Sequence, residues 1–383
     1  MHTTTAAKVL FLSSHHGTGA SETLWIEAAV KLAASGHHVS AAVNWRTSSP
    51  ERLSPLRQAG IPVSHLNLAS KTGRLTKLLR RFLPHEKWEL AAARRVMTNT
   101  TPDVIVFSEG NDISALPFME QAKAHGIPYQ IVTHGVNPAV WPSDNVADRL
   151  RPAFTSAVRT YWVAARNIVE FEHHIGARLG NAEVVHNPVK VDRDIPFTWP
   201  TEDGTWRMAC VARLQTRAKG HDLLLQAFAA PQWRDRPLHL TFFGDGENRR
   251  GLEKLASLLG LDTQVSFGGH VSRVQDIWRD HHLIAQPSRN EGMPLSLVEA
   301  LMCGRPALVT DVAGHAELIT EGENGFIAEA ASVQHIGQAL ERAWDERARW
   351  QEMGRSAYET IRLDIPSDPA ADFVRRILTA ASL

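Results

Sequence analysis

Cysteine is scarce. Cys210 and Cys303 are the only two in 383 residues, and each lies in an apolar segment. That excludes a disulfide framework and suits small buried hydrophobes in a reducing compartment. An excess of charge is also missing: 41 Lys and Arg stand against 41 Asp and Glu, so nothing draws the chain globally to nucleic acid or to an anionic membrane. No apolar run is long enough to span a bilayer. The first residues, Met1 to His16, hold one early Lys and a very short apolar run, which reads as a first strand rather than a signal peptide. The expected location is therefore cytoplasmic, and the sequon Asn99-Thr100-Thr101 carries no meaning there. What is present is 43% hydrophobic against 21% charged residue content, the balance of a globular protein, in a length that suits two domains.

The stretch from Leu283 to Thr310 organises the rest. Leu283 to Gln286 is a short apolar run closed by Pro287, and Ala307 to Thr310 is another, so each reads as a buried strand. Between them a polar turn leads to Pro294, which suits a first helical turn, and to a helix through Leu295, Leu297, Val298 and Leu301 that Gly304 stops. In a strand–loop–helix–strand unit the loop opens at the carboxyl end of a parallel strand, and the helix amino terminus directs N–H groups and partial positive charge there. That is a place for an anion. Glu291 in the loop and Glu299 on the helix bracket it, and carboxylates accept hydroxyls well but phosphate poorly. The pattern calls for a ligand with both a phosphate and several hydroxyls, such as a nucleotide sugar.

With Gly292-Met293-Pro294-Leu295 between them, Glu291 and Glu299 resemble the E-x7-E signature of retaining glycosyltransferases of family GT4, which adopt the GT-B fold. Arg213 and Lys219, in the loop between the expected strand Arg207–Val211 and the helix Leu223–Phe228, resemble the Arg and Lys pair of the same family, with one residue more between them than is usual. Arg offers a planar fork and Lys a point charge, and together they can neutralise a diphosphate. Gly244 after the strand Leu238–Phe243, and Val271 after Val265–Gly268, fall where the family holds its donor. Asp311 to Leu318 and Asn324 to Ile327 resemble its carboxyl-domain tail.

The first half matches more weakly. Lys8–Leu12, Val39–Val43, a strand beginning at Ile61, Asp103–Phe107, Tyr129–Val132, Arg159–Val163 and Ala182–His186 read as strands. The loop with Gly17, Thr18 and Gly19 invites a dinucleotide reading, but Glu22 occupies the third glycine position of that fingerprint, which speaks against NAD. The loop resembles the glycine-rich loop of GT4 enzymes, with Gly19 as its donor contact. Thr133-His134-Gly135-Val136-Asn137 resembles the segment whose histidine lies near the transferred sugar. Between Lys71 and Arg95 the chain is basic, a patch able to lie on a membrane or hold an anionic acceptor, though a core stripe with a solvated face is the commoner meaning.

The expected architecture is α/β, a GT-B arrangement of two Rossmann-like doubly wound domains facing across a cleft. The expected bounds are 1–190 for an acceptor-side domain, 191–204 for a linker, 205–362 for a nucleotide-sugar domain and 363–383 for a helix crossing back to the first domain. The resemblance implies transfer, with retention, from a nucleotide-sugar donor (a UDP- or GDP-sugar) to a glycan, lipid-linked or small-molecule acceptor, with His134, Arg213, Lys219 and Glu291 catalytic. Donor binding would fall to Gly19, Gly244, Val271, Gly292, Met293, Pro294, Leu295 and Glu299. No cofactor, metal or nucleic acid is implied: the paired histidines His15-His16, His37-His38, His173-His174 and His281-His282 lack a ligand pattern. Asp192-x-Asp194 has the form of a metal-binding pair but lies in the linker, where solvated charge is expected. Two rivals stay open, an epimerase acting on nucleotide sugars and a non-catalytic nucleotide-sugar sensor.

Overall fold

The computed structural model describes residues 6–14, 21–44, 51–66, 85–110, 113–194 and 196–382. They form two compact units, Met1–Pro188 with Asp368–Leu383, and Val189–Ser367.

The first unit is built on a seven-stranded parallel sheet: β1 (Lys8–Ser13), β2 (His38–Val43), β3 (Val63–His65), β4 (Val104–Glu109), β5 (Tyr129–Thr133), β6 (Arg159–Trp162) and β7 (Ala182–Val184). Their order is β3-β2-β1-β4-β5-β6-β7. Every residue of β4 and β5 is buried, which is why these strands read as unbroken apolar runs: helices cover a parallel sheet on both faces. One core holds Phe107, Phe154 and Trp162, and a second holds Phe11, Trp25 and Tyr161. The last helix, Pro369–Ala381, belongs to this unit. It adds Phe373 and Ile377 to the second core, sets Phe373 edge-on to Tyr161 at 5.1 Å, and accepts a hydrogen bond at Ile377 O from the buried Gln130 Nε2 at 2.9 Å.

The second unit repeats the plan with six parallel strands, β8 (Trp206–Val211), β9 (Leu238–Phe243), β10 (Val265–Gly269), β11 (Leu283–Gln286), β12 (Ala307–Thr310) and β13 (Gly325–Ala328), in the order β10-β9-β8-β11-β12-β13. The doubly wound α/β class is present in both units. Residues 191–204, expected as a linker, are fastened to the second unit. Arg193 donates to the carbonyls of Arg362, Ile365 and Pro366, and the buried Arg305 donates to Thr198 O at 2.7 Å.

Both sheets have a switch point, where the chain leaves one side of the first-laid strand and resumes on the other. In the first unit it lies between β1 and β4, and in the second between β8 and β11. The loops leaving such a pair at their carboxyl ends diverge and leave a crevice.

Two expectations shift in detail. Pro294 is the residue before the helix rather than part of its first turn, and the helix runs Leu295–Met302. The carbonyl of Pro294 caps it by accepting from Leu297 N and Val298 N at 3.1 and 3.2 Å. The basic region 71–95 falls partly outside the described residues. Its described end is the helix His85–Thr100, which starts directly after Pro84. No helix among the described residues is long and apolar enough to cross a membrane.

Candidate active site at the second switch point

The loop after β8 carries Arg213, continues into the short helix Thr216–Lys219 and turns at Gly220 into the helix His221–Phe228. The loop after β11 carries Pro287 to Pro294. The two meet at Gly220, whose φ is +64° and where a Cβ would lie 2.0 Å from Pro287 O. Only a residue without a side chain fits a left-handed position that close to another backbone. The meeting brings Lys219 and Glu291, 72 residues apart, into an ion pair with Nζ 2.6 Å from Oε1.

Glu291 is buried, and its Oε1 also accepts from Ser288 Oγ at 2.8 Å. Burial by itself would raise this carboxyl, but the neighbouring Lys219 charge, His315 and the two hydrogen bonds overcome that and hold it below the ordinary range. The carboxylate is thus charged, oriented and available to accept a further hydroxyl. Ser288 is fixed in turn by Thr310 Oγ1, which donates to Ser288 O at 2.6 Å. Behind the pair lies His315, fully buried, with Nδ1 3.1 Å from Thr310 O and Nε2 3.1 Å from Gln286 Oε1. Burial pushes its imidazole down to about 4, so near pH 7 it is neutral.

The helix Leu295–Met302 starts beside Glu291. Among the described residues the backbone N–H groups of Leu295 and Ser296 have no acceptor, so this amino terminus offers two donors and a positive dipole end to an anion. Gly292 and Met293 shape the approach. Gly314 N donates to Gly292 O at 3.0 Å, and a Cβ on Gly314 would lie 2.7 Å from that oxygen. Glu299, about one turn into the helix, is buried, and its Oε1 accepts from Lys190 N at 3.3 Å. Burial raises this carboxyl, with the Lys190 N–H acting against it.

Arg213 is exposed and its guanidinium makes no hydrogen bond or ion pair among the described residues. Its loop is nevertheless tied down: Leu214 N donates to Asp245 O at 3.0 Å and Thr216 N to Asn248 Oδ1 at 2.9 Å. Gly244, at φ +122°, would carry a Cβ 2.1 Å from Ala212 O, so it permits the contact between the loops after β8 and β9. Gly244 N donates to Gly269 O at 2.7 Å. Val271, half-buried, follows at the end of β10.

Lys219, Glu291, Gly292, Met293, Pro294 and Leu295 therefore lie together, with Gly244 on the adjoining loop. His134 belongs to the first unit, where it follows β5, is buried, and donates its backbone N–H to Glu109 O at 3.1 Å. Gly19 lies outside the described residues. The sequence reading missed Ser288, Arg289, Asp222 and Gln286. Arg289 two residues before Glu291 and Asp222 three after Lys219 were a signal of opposite charges on facing loops, readable only once those loops are known to be neighbours. No group of three or more His, Cys, Asp or Glu among the described residues could hold a metal ion.

Residues 191–360, which lie in the second unit, match the family model described as glycosyl transferases group 1. An exopolysaccharide phosphotransferase of Streptomyces coelicolor is 32% identical over 167 residues, 42% of this chain and 17% of that protein. A D-inositol 3-phosphate glycosyltransferase of Gordonia bronchialis is 32% identical over 160 residues, 38% of this chain and 34% of that one. The matched stretch is well under half of both relatives. HepE of Anabaena, solved in complex with UDP and glucose, superposes with a TM-score of 0.75 at 19% identity, over 98% of this chain and 99% of that one. That likeness is one of fold, and the fold is GT-B.

Proposed function

We propose that the protein is a retaining glycosyltransferase that moves a sugar from a nucleotide-sugar donor, a UDP- or GDP-sugar, to a hydroxyl of a glycan, lipid-linked or small-molecule acceptor. The observation that carries this reading is the Lys219–Glu291 pair at the switch point, 2.6 Å apart, beside a helix terminus with open N–H groups and inside the stretch that matches glycosyl transferases group 1. In this reading Lys219, Arg213 and the N–H groups of Leu295 and Ser296 take the diphosphate and stabilise the negative charge that grows on it as the glycosidic bond breaks. Preorganised cations and dipoles of this kind serve leaving-group departure without a metal ion. Glu299 accepts the ribose hydroxyls, Glu291 accepts hydroxyls of the sugar and fixes the ring, and Gly244 and Val271 flank the nucleoside. For His134 the GT4 resemblance implies a place near the transferred sugar.

A thermal-shift screen of UDP, GDP, ADP and dTDP sugars tests the reading. A ligand at about 100 times its dissociation constant stabilises the native state by about 2.7 kcal/mol, enough to raise the melting temperature by several degrees. The donor that does so is then offered with candidate acceptors, and the anomeric configuration of the product is read by NMR. Stabilisation by none of the four classes overturns the proposal. Isomerised donor in the absence of acceptor would replace it with the epimerase reading.

A further inference from the structure

We propose that Asp222 and Arg289 are positioning residues, a latch across the second switch point that presents Lys219 and Glu291 to one ligand as a fixed pair; the inference rests on reading that site as the donor site. Five bonds join the two loops. Arg289 makes a bidentate pair with Asp222, Nη1 to Oδ1 and Nη2 to Oδ2, both at 2.8 Å. The same Nη1 donates to Thr216 O at 2.7 Å. Arg289 N and Asn290 N both donate to Ala218 O, at 2.8 and 3.2 Å. Lys219 lies inside the segment 216–222 that is gripped from one side. Glu291 directly follows the segment 289–290 that does the gripping.

The latch has little to offer as a stabiliser. Its side chains keep 33% and 25% of their exposure, and ion pairs that wet add little to folding. Its geometry is another matter. A guanidinium fork holding a carboxylate at two points fixes both angle and distance, and each catalytic candidate directly follows fastened backbone, Lys219 after Ala218 and Glu291 after Asn290. Lys219 and Glu291 carry opposite charge and would bind opposite parts of one donor, the diphosphate and the sugar. Their separation therefore sets where the glycosidic bond lies relative to the cation that takes the leaving group, and an error of about 1 Å in such a placement costs about a hundredfold in rate.

The test uses the full-length protein and Asp222→Asn, Arg289→Gln, Arg289→Lys and the Asp222→Asn/Arg289→Gln double variant, assayed with the nucleotide sugar that gives the largest thermal shift. The latch predicts that either single neutralisation lowers kcat by about tenfold to a hundredfold while KM for the donor stays within about threefold and the urea midpoint hardly moves. The double variant should be no worse than the poorer single one, and Arg289→Lys should recover little, because an ammonium lacks the fork. Folded variants with wild-type kcat overturn the latch, as does a loss of kcat that merely tracks a loss of folded protein. A second readout needs no turnover: urea midpoints of Asp222→Asn, Glu291→Gln and their combination. Non-additive midpoints support coupling through the latch, and additive ones sink it. A wild-type protein that turns over no nucleotide sugar defeats the functional reading, and the midpoints then decide the latch alone.

Discussion

Replacing Lys219 by Met keeps the aliphatic stem and removes the charge. Glu291, 6% exposed, then retains only the Ser288 hydroxyl. Breaking a buried ion pair by deleting one partner costs about 3–5 kcal/mol. The Lys219 side chain keeps 25% of its exposure, so water relieves part of that and about 2–3 kcal/mol is expected. Freed of its cation, the carboxyl should also rise, because burial then acts on it with less opposition. Glu291→Gln should cost about as much, because it strands the ammonium. Combining the two leaves an amide and a thioether, neither needing a counter-charge, so the double variant should recover about 2 kcal/mol relative to the sum of the singles. Activity should behave in the opposite way. Both single variants should lose at least about a hundredfold in kcat/KM, a typical loss when one preorganised charge is removed, and the double variant should regain none of it. Urea denaturation with an unchanged m-value reads the first quantity, and release of the nucleoside diphosphate reads the second. Additive stabilities would refute a buried, mutually dependent pair. Recovered activity in the double variant would refute a role of either charge in the reaction.

Gly220→Ala should abolish turnover and lower the urea midpoint, because the left-handed backbone alone costs an alanine about 1 kcal/mol and its Cβ, 2.0 Å from Pro287 O, must drive apart the loops that carry Lys219 and Glu291; a fully active alanine variant would show that the loops need not touch. Stability should fall as pH drops from about 6.5 to about 4: burial pushes His221 and His315 down to about 4, so in that window the unfolded chain binds protons the native state refuses, and each group contributes up to about 3 kcal/mol that is lost on acidification. Glu109 works the other way, since burial pushes its carboxyl up to about 8 and its contribution is lost as pH rises from about 4.5 to about 8. Urea midpoints from pH 4 to 8 should therefore lose about one proton of acid-side slope in His315→Gln, and an unchanged slope would refute the neutral buried imidazole. Arg305→Met should cost about 3 kcal/mol in urea unfolding, because the buried guanidinium donates to the carbonyls of Trp278, His281, Thr198, Cys303 and Gly304 and its loss leaves several of them unsatisfied; a variant as stable as the parent would show that water replaces it.

The parts legible in the sequence are those governed by local patterns. Leu283–Gln286, Ala307–Thr310 and Leu238–Phe243 were found at their observed bounds, because strands covered on both faces leave short unbroken apolar runs between turn residues. The helix after Glu291 was legible from its apolar spacing and from Gly304. Its first residue was misplaced by one, because proline's rigid φ fits both the first turn and the residue before it, and only the carbonyl contacts of Pro294 decide between them. The glycosyl transferase resemblance followed from Glu291, Glu299, Arg213 and Lys219 in order along the chain.

The sequence alone determined the α/β class, five strands of the second unit (β8 to β12) to within a residue at each end, and the four charged residues worth following. Tertiary structure decided that β8 lies beside β11, and hence that Lys219 and Glu291 are one ion pair rather than two solvated charges 72 residues apart. It also decided that Arg289 and Asp222 hold them there, and that His315, given no role of its own within the stretch Asp311 to Leu318, sits buried behind them. The physical reason is that a hydrophobic period records which side of an element is covered, whereas strand order fixes which loops meet. A contact between loops leaves no period to read.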